Sequence, residues 1–208
     1  IAADYETIQP YLTAIRAVEK ADDETRERAI AAAGMVKAAD LLAGDYTLVI
    51  TNVPYLGRRD QGDILRHFFD AHHRDAKSNL ATVFLDRIMN WLSEQGTVAA
   101  VTPQNWLFLA SYAKFRANLL KRQRWDAIAR LGPGAFETIS GHVVNVALVL
   151  ISAEAPQEQH SFLGIDASSA ATAADKAKRL SGHPDSIRYL GQSQQRANPD
   201  ATIGFIDR

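Results

Sequence analysis

The 208-residue chain has no cysteine. Disulfides and thiolate metal sites are thereby excluded, and a cytoplasmic protein is expected. Long apolar runs are missing as well. None approaches the roughly 18 residues of a membrane span, so no membrane partner is expected. Charge of one sign is not in excess: Lys and Arg total 23, Asp and Glu total 24, and the formal net charge is −1. No basic field announces nucleic acid, so such a role must rest on local patches or on residues outside this chain. Internal repeats and low-complexity tracts are absent. The opening Ile1-Ala-Ala-Asp lacks a methionine, and a piece of a longer protein is expected.

What is present is ordinary for a globular protein, 47% hydrophobic and 23% charged, with length for one sizeable core or a core plus an appendage. Residues 1–43 read as a helical connecting segment. Ile8, Tyr11, Leu12, Ile15 and Val18 recur at helical spacing, and residues 22–43 are rich in good helix formers. Tyr46–Thr51 reads as a buried strand, and Ile64–Phe69 as a short helix. Leu80, Val83, Phe84, Ile88, Trp91 and Leu92 share one helical face, with Gly96 expected to end that helix. Thr97–Thr102 is a second buried strand, followed by the loop Pro103–Trp106. The next helix spans residues 111–122 with Tyr112, Phe115, Leu119 and Leu120 inward. Trp125–Leu131 and Val143–Ile151 are further strands.

Helices separate the first three strands, which predicts a mostly parallel α/β sheet. The residues before Val143 hold Gly132, Gly134 and Gly141 and are too loop-like for a crossover helix, so the last pair is expected to be antiparallel. Residues 156–208 read as an appended segment. It contains a short strand at Phe162–Ile165, an Ala-rich helix over 168–180, and a polar end anchored by Ile187, Tyr189, Leu190, Ile203 and Phe205.

The tetrapeptide Asn52-Val53-Pro54-Tyr55 ends the first strand. Open α/β sheets present their sites at strand C-terminal ends. A side-chain amide, a backbone carbonyl, a φ-locked Pro and an aromatic face suit the gripping of a flat ring with an amino group. Asn and Pro also make ordinary turns with no function. An exocyclic amine is a poor nucleophile because its lone pair is conjugated into the ring. Two acceptors aimed at its N–H bonds, Asn52 Oδ1 and the Val53 carbonyl, pull it toward a pyramidal geometry and stabilise the positive charge that develops. Pro54 fixes the turn so that Tyr55 can stack on such a ring.

These residues resemble the Asn-Pro-Pro-Tyr motif of adenine-specific (N6) DNA methyltransferases of the gamma type, and most of all the large enzymes of restriction-modification and BREX phage-defence systems. The resemblance covers residues 45 to about 151. It includes Asp45–Tyr55, the Leu80–Trp91 segment with Gly96, Val98–Phe108, Phe115-Arg116 with Leu119-Leu120, and Leu131-Gly132 through Phe136. It implies a Rossmann-like class I methyltransferase sheet of which residues 44–155 form the C-terminal, catalytic half. Residues 156–208 then lead toward a target-recognition region. It implies S-adenosyl-L-methionine as cofactor, with its site mostly outside this piece, which alone is expected to be inactive. It implies double-stranded DNA as partner, with other defence-system subunits besides. Pro103 is implied as a pocket wall and Phe136 as an aromatic that holds the flipped base; Phe136 reads equally as a core aromatic. Val53 departs from the motif, yet its carbonyl is the group that the chemistry uses. Asn79 stands where relatives often carry Asp.

Other features carry less. Gly132-Pro133-Gly134 looks like a cofactor loop, but no crossover helix fits after it, and a turn is expected. His67, His72 and His73 lie among Arg58, Arg59, Arg66 and Arg74, which oppose a cation site; a solvated helix face is expected and no metal. Arg58 and Arg59 read either as contacts to DNA phosphates or as a surface loop. Methylation of RNA or of a protein glutamine, and a degenerate non-catalytic DNA-binding or assembly module, remain alternatives.

Overall fold

The computed structural model describes residues 23–135, 144–181 and 187–205. The chain divides into two compact units, Ile1–Asp45 and Tyr46–Arg208. In the first, α1 spans Asp23–Ala43 and exposes Ile30, Met35, Leu41 and Leu42. The helical repeat expected at Ile8–Val18 lies outside the described residues.

The second unit is built on one six-stranded sheet of order β1-β2-β4-β3-β5-β6. The strands are β1 (Tyr46–Asn52), β2 (Leu92–Pro103), β3 (Arg124–Gly132), β4 (Val146–Ser152), β5 (Ser161–Asp166) and β6 (Ile187–Gly191). β1 runs parallel to β2, and β3 to β5, whereas β4 is antiparallel to both β2 and β3 and β6 is antiparallel to β5. Strands β1, β2, β3 and β5 therefore share a direction, and β4 is wedged between β2 and β3. The expected antiparallel final pair is present. Residues 156–208, expected as an appendage, add β5 and β6 to this same sheet.

The helices are α2 (Asp63–His72), α3 (Leu80–Met89), α4 (Ala113–Arg122), α5 (Ala173–Leu180) and α6 (Gln192–Ala197). On one face, Ala81, Leu85 and Ile88 of α3 and Phe115, Leu119 and Leu120 of α4 join Val98, Ala100, Ile128, Val149 and Ile151 of the sheet in the main core. Each fully buried Leu, Ile or Phe contributes about 1.5–3 kcal/mol there. The opposite face carries a smaller cluster of Ala129, Leu131, Val146, Ile165 and Ala167, with Leu180 packed against it.

Two expectations need correction. β1 is not buried: it is the edge strand, and Leu48 and Ile50 are 55% and 75% exposed. An apolar run reads as buried, but edge position depends on pairing that the local pattern does not encode. Second, Gly96 does not end a helix. The helix stops at Met89, and Gly96 sits inside β2 where the β1–β2 register shifts between the pairs Tyr46–Leu92 and Leu48–Thr97. A Cβ on Gly96 would lie 2.5 Å from the Tyr46 carbonyl oxygen, so the bulge admits only glycine. The inward face of α3 also differs, since Leu85 is fully buried while Phe84 is 38% exposed.

Candidate methyl-acceptor site

Parallel β1 and β2 end side by side, with Asn52 of β1 in register with Val101, two residues before Pro103 closes β2. Asn52 is exposed. Its amide makes no hydrogen bond among the described residues. Val53 is turned the other way, 3% exposed and part of the main core. The β-branched Val53 side chain thus fills the core. Pro54 is exposed, and Tyr55 is half-buried with its ring against the core. The Tyr55 hydroxyl is enclosed with no partner, and burial raises its pKa.

The chain after Tyr55 is pinned to the entry of α3. Leu80 N–H donates to the Leu56 carbonyl at 2.9 Å and Arg58 N–H to the Ser78 carbonyl at 3.0 Å. The buried Gln61 donates from Nε2 to the carbonyls of Leu56 and Lys77 at 3.2 and 3.4 Å. Asn79 caps α3, its Oδ1 accepting from Ala81 N–H at 2.9 Å. At this position Asn serves as an N-cap as well as Asp would.

The other wall is the β2–α4 connection. Pro103 is buried, and Gln104 begins a short 3-10 turn, Gln104–Leu107. Trp106 is fully buried and donates from Nε1 to Thr102 Oγ1 at 3.0 Å. Its ring lies 5.7 Å from Phe115 and 5.8 Å from Trp125, which lies 5.7 Å from Phe162. Gln104 Oε1 and Asn105 Oδ1 are enclosed without partners. Together with Tyr55 and Gln61, they place four of the seven buried unpartnered side-chain atoms among the described residues on the two strand-end loops. Buried polar side-chain atoms without a protein partner are rare.

Residues 4–136 match the family model described as Eco57I restriction-modification methylase. The chain belongs to that family. It is 33% identical over 136 residues to the adenine-specific methyltransferase BrxX of Escherichia coli O9:H4 (strain HS), covering 65% of this chain and 11% of that protein. It is 30% identical over 132 residues to the adenine-specific methyltransferase PglX of Lacticaseibacillus casei (strain Zhang), covering 62% of this chain and 10% of that one. The chain thus spans about a tenth of the length of these relatives. Among solved structures, a type I restriction-modification system studied for complex assembly shares the fold, with a TM-score of 0.59 and 14% identity over 78% of this chain and 38% of that one. The Type ISP restriction-modification enzyme LlaBIII bound to DNA shares it too, with a TM-score of 0.56 and 11% identity over 84% of this chain and 14% of that one.

Within this Eco57I-type methylase chain the remaining candidates fare unequally. Phe136 lies outside the described residues. Gly132 and Gly134 adopt left-handed φ of 64° and 67°, and a Cβ on Gly132 would meet Ser168 Cβ at 2.9 Å. That is a tight turn pressed against the β5–α5 connection. Arg59 is exposed. Arg58 is engaged: its Nη2 pairs with Asp70 Oδ2 at 2.6 Å, and Asp70 Oδ1 accepts from Lys77 Nζ at 2.8 Å. His73 is not on a solvated face; it is 9% exposed, with Nδ1 2.7 Å from Asp86 Oδ2. No group of three metal-ligating side chains occurs among the described residues. No described helix is long and apolar enough to cross a membrane. A cleft of about 710 Å³ opens toward the β6 edge, lined by Arg130, Gln194, Asn198 and Phe205 among others, and none of the candidate residues lines it. Gln104, Asn105 and the buried Arg116 fell within segments of the resemblance but were given no role in the sequence reading; the first two lie in the loop after β2 and Arg116 in α4.

The Asp70 pairs give a pH signature. Hydrogen bonds from Lys77 and then Arg58 hold the Asp70 carboxyl below its ordinary value. A carboxyl lowered on folding adds stability above its unfolded pKa of about 3.9, and that stability is lost as pH falls through the folded value. In urea melts of this chain, Asp70→Asn is expected to be slightly less stable than wild type at pH 5–7. The gap should narrow as the pH falls below about 4, toward the lowered folded value. It should be small because the pairs are partly exposed.

Proposed function

We propose that this chain is the methyl-acceptor half of a DNA adenine N6-methyltransferase from a restriction-modification or phage-defence system, with S-adenosyl-L-methionine as methyl donor. The observation that carries the reading is the pairing of an exposed, unbonded Asn52 and a buried Val53 at the end of β1, beside the end of β2. Val53, once its side chain is committed to the core, offers the site only its backbone. Asn52 Oδ1 and the Val53 carbonyl then accept the two N–H bonds of a flipped adenine amine and stabilise the charge that grows on nitrogen. Pro54 holds the turn, Tyr55 stacks on the base, Pro103 walls the pocket, and Phe136 is the candidate for the base's other face. Arg59 is free to meet a flanking phosphate, while Arg58 braces the loop against Asp70.

The order β1-β2-β4-β3, with β4 antiparallel, supports the C-terminal half of a class I methyltransferase sheet. In that reading the exposed edge and face of β1 are where the cofactor half pairs. The described residues do not fit the cofactor itself. Their one Gly-x-Gly is the tight turn at Gly132–Gly134, and β4 follows it without room for a crossover helix. The methyl donor is therefore assigned to residues outside this chain. So are sequence recognition, which we place beyond residues 156–208, and docking to other defence subunits.

The test is a substrate panel with the full-length protein and isotopically labelled methyl donor: duplex DNA, structured RNA and a glutamine-bearing peptide. N6-methyladenine in DNA is the expected product, and the 208-residue chain alone should make none. Label only in RNA or in glutamine would replace this reading with one of its alternatives.

A further inference from the structure

Arg116 of α4 is fully buried, and among the described residues no carboxylate bonds its guanidinium. Four backbone carbonyls surround it instead. Nη1 donates to Trp106 O at 2.5 Å and to Leu109 O at 2.7 Å. Nη2 donates to Asp200 O at 2.7 Å, and Nε donates to Ala201 O at 3.2 Å. Burying an arginine is costly unless its donors are met, and four of its five N–H donors are, so the carbonyl cage is a specific structure and not incidental packing.

The four carbonyls come from two separate segments. Trp106 and Leu109 belong to the loop that leaves β2 at Pro103. Asp200 and Ala201 belong to the segment Pro199–Phe205 and take left-handed φ of 54° and 51°, unusual for residues other than glycine. Ile203 N–H adds a further stitch to the Leu107 carbonyl at 2.9 Å. Ile203 and Phe205 are themselves buried in the main core. The C-terminal segment is thus a strap across the loop, and Arg116 is the rivet through both.

We propose that Arg116 is a positioning residue for methyl transfer: by tying the β2–α4 loop to the 199–205 strap, it sets the Pro103 wall against Asn52–Tyr55. The inference rests on the DNA-adenine reading above. Arg116 touches neither base nor methyl donor and acts through the carbonyls of Trp106 and Leu109. Transfer demands a near-attack geometry with the reacting atoms about 3–3.5 Å apart, and a misplacement of about 1 Å can cost about 100-fold. Without the guanidinium the loop would lose the two bonds at Trp106 and Leu109 and keep the Ile203–Leu107 and Trp106–Thr102 bonds, so Arg116 tunes its position.

The experiment uses the full-length enzyme with Arg116→Lys, which keeps the charge but reaches fewer carbonyls, and Ala201→Gly, which folds readily at a left-handed φ and slackens the strap. Both are measured for melting temperature, methyl-donor affinity, kcat, KM for DNA, and fluorescence of 2-aminopurine at the target position. Arg116→Lys should lower kcat about 10- to 100-fold. Its methyl-donor affinity should stay within about 2-fold of wild type, and the fluorescence of the flipped base should change. Ala201→Gly should move the same readouts in the same direction, less far. Wild-type kcat in a folded Arg116→Lys would overturn the proposal. So would a loss of melting temperature and methyl-donor affinity together with unaltered 2-aminopurine fluorescence. If Arg116→Lys does not fold, Ala201→Gly decides: lowered kcat supports the strap, and unchanged kcat rejects it. Asn52→Ala runs alongside. If that variant methylates normally, the base-gripping reading fails and this inference with it. If it is inactive while Arg116→Lys and Ala201→Gly turn over normally, only the role of Arg116 is rejected.

Discussion

Asn52→Ala in the full-length protein is expected to lower methyl transfer to DNA by about 10²- to 10³-fold, equivalent to about 2.7–4 kcal/mol of lost transition-state stabilisation. The reason is geometric. Asn52 ends β1 in register with Val101, so a strand fixes its backbone, and its amide is exposed and unbonded. A preorganised acceptor of this kind gives up only solvent, and its bond to the amine strengthens as positive charge grows, so it stabilises the charged transition state more than the neutral ground state. The loss should fall on kcat, because the positive charge on nitrogen develops only during transfer. Asn52→Asp keeps an acceptor and adds charge, so it should retain more activity than Asn52→Ala. Folding should be little affected in either variant, since the side chain is exposed. Steady-state kinetics with labelled methyl donor and a melting curve check both statements. Full activity in a folded Asn52→Ala would rule out the catalytic reading and favour a module that binds or assembles without chemistry.

Much of this arrangement was legible from residue order alone, and the reasons differ from element to element. The α4 face was correct in detail because Tyr112, Phe115, Leu119 and Leu120 face one core, and all four are buried. β4 was legible from its continuous β-branched run, and its antiparallel sense from the absence of room for a crossover helix. β6 and α6 were not, because β6 is only five residues long, α6 is polar, and α6 is held by long-range bonds. Gln192, for example, accepts from Trp125 N–H at 2.9 Å and donates to the Leu120 carbonyl at 2.8 Å. Gly96 was misread because a helix-ending glycine and a bulge glycine look the same until the neighbouring strand is in place. At the site, the motif named Asn52–Tyr55, but only the fold separates their exposure, leaving Asn52 exposed and Val53 buried. Arg116 was named within the resemblance, but its carbonyl cage was not legible, because its partners are backbone atoms, which leave no trace in side-chain pattern.

Trp106→Ala carries the largest expected cost to folding, about 3–5 kcal/mol. The indole is fully buried at the junction of the β2–α4 loop, α4 and β3, with Phe115 and Trp125 5.7 and 5.8 Å away. Truncation removes the ring's contacts and opens a cavity that the backbone cannot close, because the loop is clamped through the Trp106 carbonyl by Arg116. It also leaves Thr102 Oγ1, on a residue 0% exposed, without its donor. Against a typical total stability of about 5–15 kcal/mol, that loss is a large fraction, and urea unfolding of the 208-residue chain should register it as a lower midpoint with little change in slope. Trp106→Phe retains most of the ring and should cost about 1–3 kcal/mol, mainly from the buried hydroxyl left unbonded. The two variants separate packing from bonding: equal midpoints would show that the Thr102 bond dominates, whereas the expected ordering, alanine well below phenylalanine, assigns most of the loss to the ring. The same loop walls the proposed base pocket, so in the full-length enzyme even the milder phenylalanine variant should reduce kcat before it reduces methyl-donor affinity.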